Sequence, residues 1–179
     1  IRDRYRDSTN TETFQAVEPF ANSLVLRLKQ DLKDGKIIFG GFLTNKQQVL
    51  NTNYLRSSFV SKANVMGVDF EYALPDPAWV VSGYTATSTL LGTEKIVSEI
   101  QRNSAHYFQR PDDKIALDTT KTQLDGTSSE LSLTKISGKN IKGSFTYRQI
   151  SPGYDINELG YIRSANTKQL KSYIEYEDF

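Results

Sequence analysis

The sequence predicts an all-β chain folded as an antiparallel up-and-down meander of seven strands. Three observations predict it: apolar side chains recur at every second position, turn residues bound these stretches, and short connections alternate strictly with long ones. With 179 residues and 37% hydrophobic content, one domain or part of one is expected, and residues 1–179 read as a single segment.

The elements follow in order. Ser23 to Gln30 sets Leu24, Leu26 and Leu28 against Ser23, Arg27 and Lys29, the mark of a half-buried strand. Lys36 to Thr44 is rich in β-branched and aromatic residues but alternates less cleanly, as does Trp79 to Leu91. Gly40-Gly41 lacks a lysine-bearing helix start after it, so it reads as relief of crowding or a bend rather than a phosphate loop. Asn64 to Tyr72 places Met66, Val68, Phe70 and Tyr72 opposite Gly67, Asp69 and Glu71. Thr93 to Arg102 is the one expected helix, with Thr93 as its cap and Ile96, Val97 and Ile100 on one side. Ser128 to Ile136 sets Leu131 and Leu133 against Glu130, Ser132 and Thr134, and Ile141 to Ile150 sets Ile141, Phe145 and Tyr147 against Lys142, Ser144, Thr146 and Arg148. Thr167 to Glu177 closes the series with Leu170, Ile174 and Tyr176 on one face. Before Ser23, the residues Phe14, Val17 and Phe20 offer part of a further strand, but Pro19 argues against a central one.

The connections carry more information than the strands. Asp31 to Gly35, Ala73 to Ala78 and Ser137 to Asn140 are short, whereas Asn45 to Ala63, Gly92 to Thr127 and Ser151 to Asn166 are long. In a meander this parity collects the tight turns at one end and the long loops at the other, the asymmetry of an outer-membrane β-barrel. A Greek-key sandwich does not predict it. Tyr72, Trp79, Tyr176 and Phe179 fall at the short-turn end, where such barrels carry an aromatic girdle. The barrel reading turns Met66, Val68, Phe70, Ile141, Phe145 and Tyr147 outward to lipid and Asp69, Glu71, Lys142 and Arg148 inward.

Several classes are excluded. The longest nonpolar run, Ile37 to Leu43, is far short of the about twenty residues of a spanning helix. A net charge of +1 argues against a nucleic-acid binder. Without Cys there are no disulfides, thiolate metal sites or thiol catalysis. The N-terminal run Ile1 to Asp7 has no secretory-signal pattern, and the chain lacks an initiating Met, so it is expected to be a processed product or an internal piece of something longer.

Two longer motifs stand apart. Gln101-Arg102-Asn103-Ser104-Ala105-His106-Tyr107-Phe108-Gln109-Arg110-Pro111-Asp112, with Thr122-Gln123-Leu124-Asp125-Gly126 after a gap, resembles a segment of a family of bacterial outer-membrane proteins of unknown function, domain of unknown function 5916. Ser151-Pro152-Gly153-Tyr154-Asp155-Ile156-Asn157-Glu158-Leu159-Gly160-Tyr161 resembles a second signature of that family. Weaker echoes lie at Gly41 to Gln47 and Asn64 to Asp69, and the similarity spans roughly Val17 to Glu177, nearly the whole chain. The resemblance implies a C-terminal membrane barrel joined to an N-terminal carbohydrate-binding-like domain. Residues 1–179 show no counterpart of that domain and seven strands are too few for the barrel, so the chain is expected to be an internal barrel segment.

The candidate site residues lie in these loops: His106, Tyr107, Arg110, Asp112, Tyr154 and Asp155. His106 is the sole His, which rules out a two-His metal site or relay within the chain. With Tyr107, Phe108, Arg110, Asp112 and Asp113 it makes a candidate polar patch at a barrel mouth; the simpler reading is a residue that hydrogen-bonds the loop to itself. Asp155-Ile156-Asn157-Glu158 groups oxygen ligands without the twelve-residue spacing of an EF-hand, and an Asx-type turn explains it more simply. Asp69 and Glu71 share a strand face at about 7 Å, a spacing that paired-carboxylate hydrolases use, but the inside of a barrel is polar in any case.

The expected function is a non-enzymatic segment of an integral outer-membrane protein that binds or passes a glycan or other small solute. No catalytic residue, cofactor or metal is expected. The expected partners are outer-membrane lipid, the rest of the barrel or another protein supplying strands, and a glycan or small solute, with no nucleic acid. The alternative is a soluble secreted carbohydrate-binding β-sandwich, told apart by whether the apolar strand faces are bare or packed under a second sheet.

Overall fold

The structure, a computed structural model, describes residues 2–6, 12–76, 78–110, 115–138 and 140–178, with side-chain detail from residue 16 onward. A two-stranded antiparallel sheet, β1 (Arg2–Arg6) and β2 (Glu12–Ala16), precedes a seven-stranded one. The larger sheet runs in chain order through β3 (Phe20–Leu32), β4 (Ile37–Val49), β5 (Lys62–Ala73), β6 (Trp79–Leu91), β7 (Gln123–Lys135), β8 (Ile141–Ile150) and β9 (Thr167–Tyr176). Each strand pairs antiparallel with the next, giving the expected up-and-down meander. The sheet is open: among the described residues β3 and β9 are its two edges.

The turn end is tight. Lys33, Asp34 and Gly35 all take positive φ between β3 and β4, and the Asp31 carboxylate accepts from the Gly35 amide at 2.8 Å. The chain thereby reverses within a few residues and fixes the pairing of Leu32 with Ile37. The loop end carries two helices, α1 (Asn53–Ser58) between β4 and β5 and α2 (Glu94–Arg102) between β6 and β7. α2 starts where expected: the Thr93 hydroxyl accepts from the Ile96 amide, and Ile96 and Val97 are buried. α1 was not legible in the sequence, because six residues held by a Thr52 cap are too few to show a helical period.

The strands split the sheet into an apolar face and a polar face. Met66, Val68, Phe70 and Tyr72 stand on the apolar face of β5, and the register aligns them with Leu43, Gly41, Phe39 and Ile37 of β4. Leu131, Leu133, Phe145, Tyr147, Leu170 and Ile174 continue that face across β7, β8 and β9. It is bare: Met66 is 54% exposed, Val68 58% and Phe145 52%. The apolar set expected to be exposed is therefore exposed, and among the described residues nothing packs over it.

The polar face behaves differently at its two ends. Toward the turn end it carries Arg27, Lys29, Asp69, Glu71, Lys142 and Arg148, as the alternation predicts. Toward the loop end its residues turn apolar, with Ala63, Val65, Ala86, Leu90, Leu124 and Ile150 all buried. These lie under the long loops. One cluster joins Leu90 and Leu124 to Val60, Ile96, Val97 and Phe108, and the other joins Ala86 and Ile150 to Tyr154, Ile162 and Ala165. Fully burying one such side chain contributes about 1.5–3 kcal/mol, so the loops are held down by a core of their own.

This change of phase explains where the strand boundaries differ from expectation. β7 begins at Gln123 rather than Ser128, because Leu124 faces the loops whereas Leu131 and Leu133 face the opposite way. A reading that follows one apolar phase loses the strand at that switch. β3 likewise reaches back to Phe20, directly after Pro19, as an edge strand that tolerates a neighbouring proline.

Candidate functional site

The site is built where the loop of residues 151–166 crosses the polar face. The loop leaves β8 and is anchored to β7 by Ser151, whose amide donates to the Thr127 carbonyl at 2.8 Å and whose Oγ accepts from the Thr127 amide at 2.7 Å. Two glycines then bring backbone against backbone. A Cβ on Gly126 would lie 2.0 Å from the Tyr154 amide nitrogen, and one on Gly153 would lie 2.1 Å from the Asp125 carbonyl oxygen. No side chain fits there. Further along, the Asp155 amide donates to Ser88 Oγ of β6 at 2.9 Å. Glu158 accepts from Lys46 Nζ at 2.6 Å and from Gln48 Nε2 at 3.2 Å, both on β4. The loop thus lies across the polar face from β8 to β4.

The second long loop locks onto it. After α2, the Asn103 side chain accepts from the amides of Ala105 and His106, and Tyr107 takes a positive φ of 43°. That bend turns His106 and Phe108 inward while Tyr107 stays 45% exposed. His106 is fully enclosed. Its Nδ1 donates to the Pro152 carbonyl at 2.8 Å, and its Nε2 lies 2.8 Å from Asp155 Oδ2. A carbonyl only accepts, so Nδ1 carries a proton, and the Nε2 contact with Asp155 is a buried hydrogen bond. The Ala165 amide adds a bond to the Ala105 carbonyl at 2.7 Å.

Asp155 is satisfied on every side. Burial pushes its carboxyl upward, but the His106 hydrogen bond and the Asn157 backbone amide at 2.7 Å together hold it below the usual carboxylate range. The Asn157 contact is the expected Asx-type turn, so the oxygen-rich run orders the loop. Neither ring nitrogen of His106 is free to serve as an acid or base, and the ring is sealed from solvent. The arrangement is a clamp between two loops.

The six expected site residues separate into three groups. His106 and Asp155 meet directly, and Tyr154 lies buried beside them with its hydroxyl pushed upward by burial and by Tyr84. Tyr107 points away into solvent, and Arg110 is half-buried at the end of the same turn. Asp112, with Asp113, lies outside the described residues, as does Phe179 of the expected girdle. Asp69 is engaged by Arg27, which makes a bidentate pair with it across Gly40. A Cβ on Gly40 would sit 2.9 Å from that guanidinium, so this glycine does relieve crowding.

Sequence reading missed other members of the site. Gln101 is fully buried and clasps the backbone of Asp118, donating from Nε2 to its carbonyl at 2.8 Å and accepting from its amide at 3.0 Å. Nothing in the sequence marks it beyond its place inside the first long motif. Below the crossing loop, Tyr84, Ser128 and Arg148 form a chain: Arg148 Nη2 donates to the Tyr84 hydroxyl at 3.1 Å, which bonds Ser128 Oγ at 3.1 Å. A cavity of about 360 Å³ opens beside them, between the sheet and the loop. Ser128 and Arg148 alternate along polar strand faces like many residues that do nothing special, so only the fold distinguishes them.

No curated protein and no solved structure matches the chain. Its sequence matches the family model described as Domain of unknown function (DUF5916) over residues 2–179. Both long motifs, read first as a resemblance, are the segments that interlock here through Gly126 against Tyr154 and His106 against Asp155. The chain therefore belongs to the family of Domain of unknown function (DUF5916).

Proposed function

We propose that the chain is a segment of an integral outer-membrane β-barrel protein, without enzymatic activity, that binds or passes a small solute beneath its loops. The observation that carries this reading is the shape of the bare apolar face. Its continuous run reaches Leu24 on β3, Leu43 on β4 and Met66 on β5, but only Leu131, Tyr147 and Leu170 on β7, β8 and β9. In register those last three stand level with Phe70 and Phe39, not with Met66 and Leu43. Above the line stand Asn45, Asn64, Ser129, Gln149 and Lys168.

From the row of Leu24 on β3 to that of Leu170 on β9 the edge of the apolar band falls in two steps, level within β4–β5 and within β7–β9, an average of about one residue per strand, roughly 3.3 Å against a strand spacing of about 4.8 Å. A flat boundary plane crossing the sheet at that average slope makes an angle of about 35° with the register rows, which corresponds to the tilt that barrel strands keep to a membrane normal, roughly 35–45°. A sheet buried under a second sheet has no reason to end its apolar face along such a line. Trp79, Tyr72 and Tyr176 at the turn end fit the opposite boundary.

The loops over the polar face fit the same picture as a partial plug of the lumen, with the charged wall below it in contact with water. The open edges β3 and β9 require partner strands, because lipid cannot satisfy free amide and carbonyl groups. The test is to express the full-length protein in a Gram-negative host and follow it through fractionation. Recovery in the outer membrane, resistant to carbonate extraction, is expected; recovery in a soluble fraction overturns the barrel and favours the secreted sandwich.

A further inference from the structure

The cavity below the crossing loop has a composition that selects its occupant. Its floor is one register row of small and medium side chains, Phe42, Gly67, Ala86, Ser128 and Ile150, running across five strands. Ala86 leaves the hollow. A Cβ on Gly67 would meet the Phe42 ring at 2.7 Å, so that ring covers the glycine and forms part of the wall. Tyr84 and Arg148 stand one row below, and Tyr154, Ile156, Ile162 and Tyr161 form the roof and rim.

Aromatic and aliphatic surface dominates this lining, and the polar groups gather in one corner. Ser128, the phenols of Tyr84 and Tyr154, and the Arg148 guanidinium supply donors and acceptors side by side. Arg148 Nε is buried and, among the described residues, makes no hydrogen bond; the nearest Glu130 oxygen is 3.7 Å away. That nitrogen is shielded from solvent, so the groups within a ligand's reach are the Ser128, Tyr84 and Tyr154 hydroxyls and the outer part of the Arg148 guanidinium. The surrounding charges are balanced: Arg148 faces Glu130, Arg27 faces Asp69, and Lys46 faces Glu158. A pocket whose ions are already matched is neither an anion trap nor a cation trap.

On the reading of the protein as a solute-handling barrel, we propose that this cavity binds an uncharged, polyhydroxylated ring, with hydroxyls on the Arg148–Tyr84–Ser128 corner and its C–H face against Phe42 and the apolar lining. Adjacent donor and acceptor groups match neighbouring hydroxyls, which both donate and accept, and the apolar wall matches the hydrogen-bearing face of such a ring. The volume of about 360 Å³ lies in the range of about 300–1,000 Å³ in which small-molecule sites fall.

The experiment uses the full-length protein, in detergent or in buffer as its fractionation dictates, titrated calorimetrically with maltotriose, cellotriose, xylotriose and trigalacturonate. At least one neutral trisaccharide is expected to bind, and more tightly than the charged trigalacturonate. Ala86→Leu fills the floor and should weaken that binding by at least about tenfold. Tyr161→Ala removes a rim residue that is 79% exposed, so it leaves the fold intact and should weaken binding by roughly threefold or more. Absence of binding by all three neutral sugars, tighter binding of trigalacturonate, or binding indifferent to both substitutions overturns the proposal. Fractionation is read separately: an outer-membrane protein that binds none of these sugars loses only this inference, and a soluble protein that binds one through Ala86 and Tyr161 loses only the barrel.

Discussion

Val65 and Met66 are neighbours in the chain and opposites in the fold: the first is 5% exposed beneath the loops, the second 54% exposed on the bare face. The same contrast holds for the two regions they represent. The loop end of the polar face has everything a water-soluble core has, with capped helices, satisfied polar groups and packed aliphatic side chains. The apolar face has none of it, although it is made of the same strands with larger side chains. One backbone supports both, because a strand sends successive side chains to opposite sides and each side then answers to its own surroundings. The loop core is covered by the chain's own loops, whereas among the described residues nothing covers the apolar face.

The largest effect expected on this contrast comes from breaking the loop clamp. His106→Ala leaves Asp155 buried opposite an empty space, a change that costs about 3–5 kcal/mol when a buried pair loses one member. Amide exchange should speed up across residues 103–108 and 151–166 while β4 to β6 below the loops keep their protection. If exchange rises equally throughout the sheet, the two regions are one cooperative unit and the contrast fails.

A charge on the bare face probes the other region. Val68→Arg is expected to cost about 2–4 kcal/mol in a lipid-embedded barrel. The same substitution on an exposed, water-facing sheet costs almost nothing, within about 0.5 kcal/mol. Denaturant titration in bilayers or micelles measures the difference, and a neutral result removes lipid as the medium.

A smaller effect is expected at Gln101. Gln101→Leu keeps much of the volume but strips the Asp118 amide and carbonyl of their partners, at about 1–3 kcal/mol. The consequence should stay local, as faster exchange at residues 115–120, read by mass spectrometry. Protection there that survives the substitution would show that the clasp contributes little.

The mildest test is pH. The Asp155 carboxyl is held below its ordinary value in the folded loops, so its contribution to stability is present above the ordinary carboxylate range and is lost as pH falls through the depressed value. The 151–166 loop should keep its protection from neutral pH down to about pH 4 and loosen only below that. Asp155→Asn should flatten that acid limb; an unchanged limb would assign it to other carboxylates.

Sequence and structure contributed unequal parts. Period-two alternation made the seven strands and their two faces readable, because it depends only on backbone geometry within a strand. The Asp34-Gly35 turn, the Thr93 cap and the alternation of short and long connections are likewise local, and each stands in the structure near where the sequence puts it. What local pattern cannot carry is which distant residues meet. His106 and Asp155 are 49 residues apart, Arg27 and Asp69 42, and Lys46 and Glu158 112. Their pairing depends on how the long loops fold back over the polar face, and this also reverses the apolar phase at Val65, Leu90, Leu124 and Ile150. A polar strand face means water until a loop covers it, and covering is settled by loop closure and packing across many strands, which no single stretch of sequence encodes.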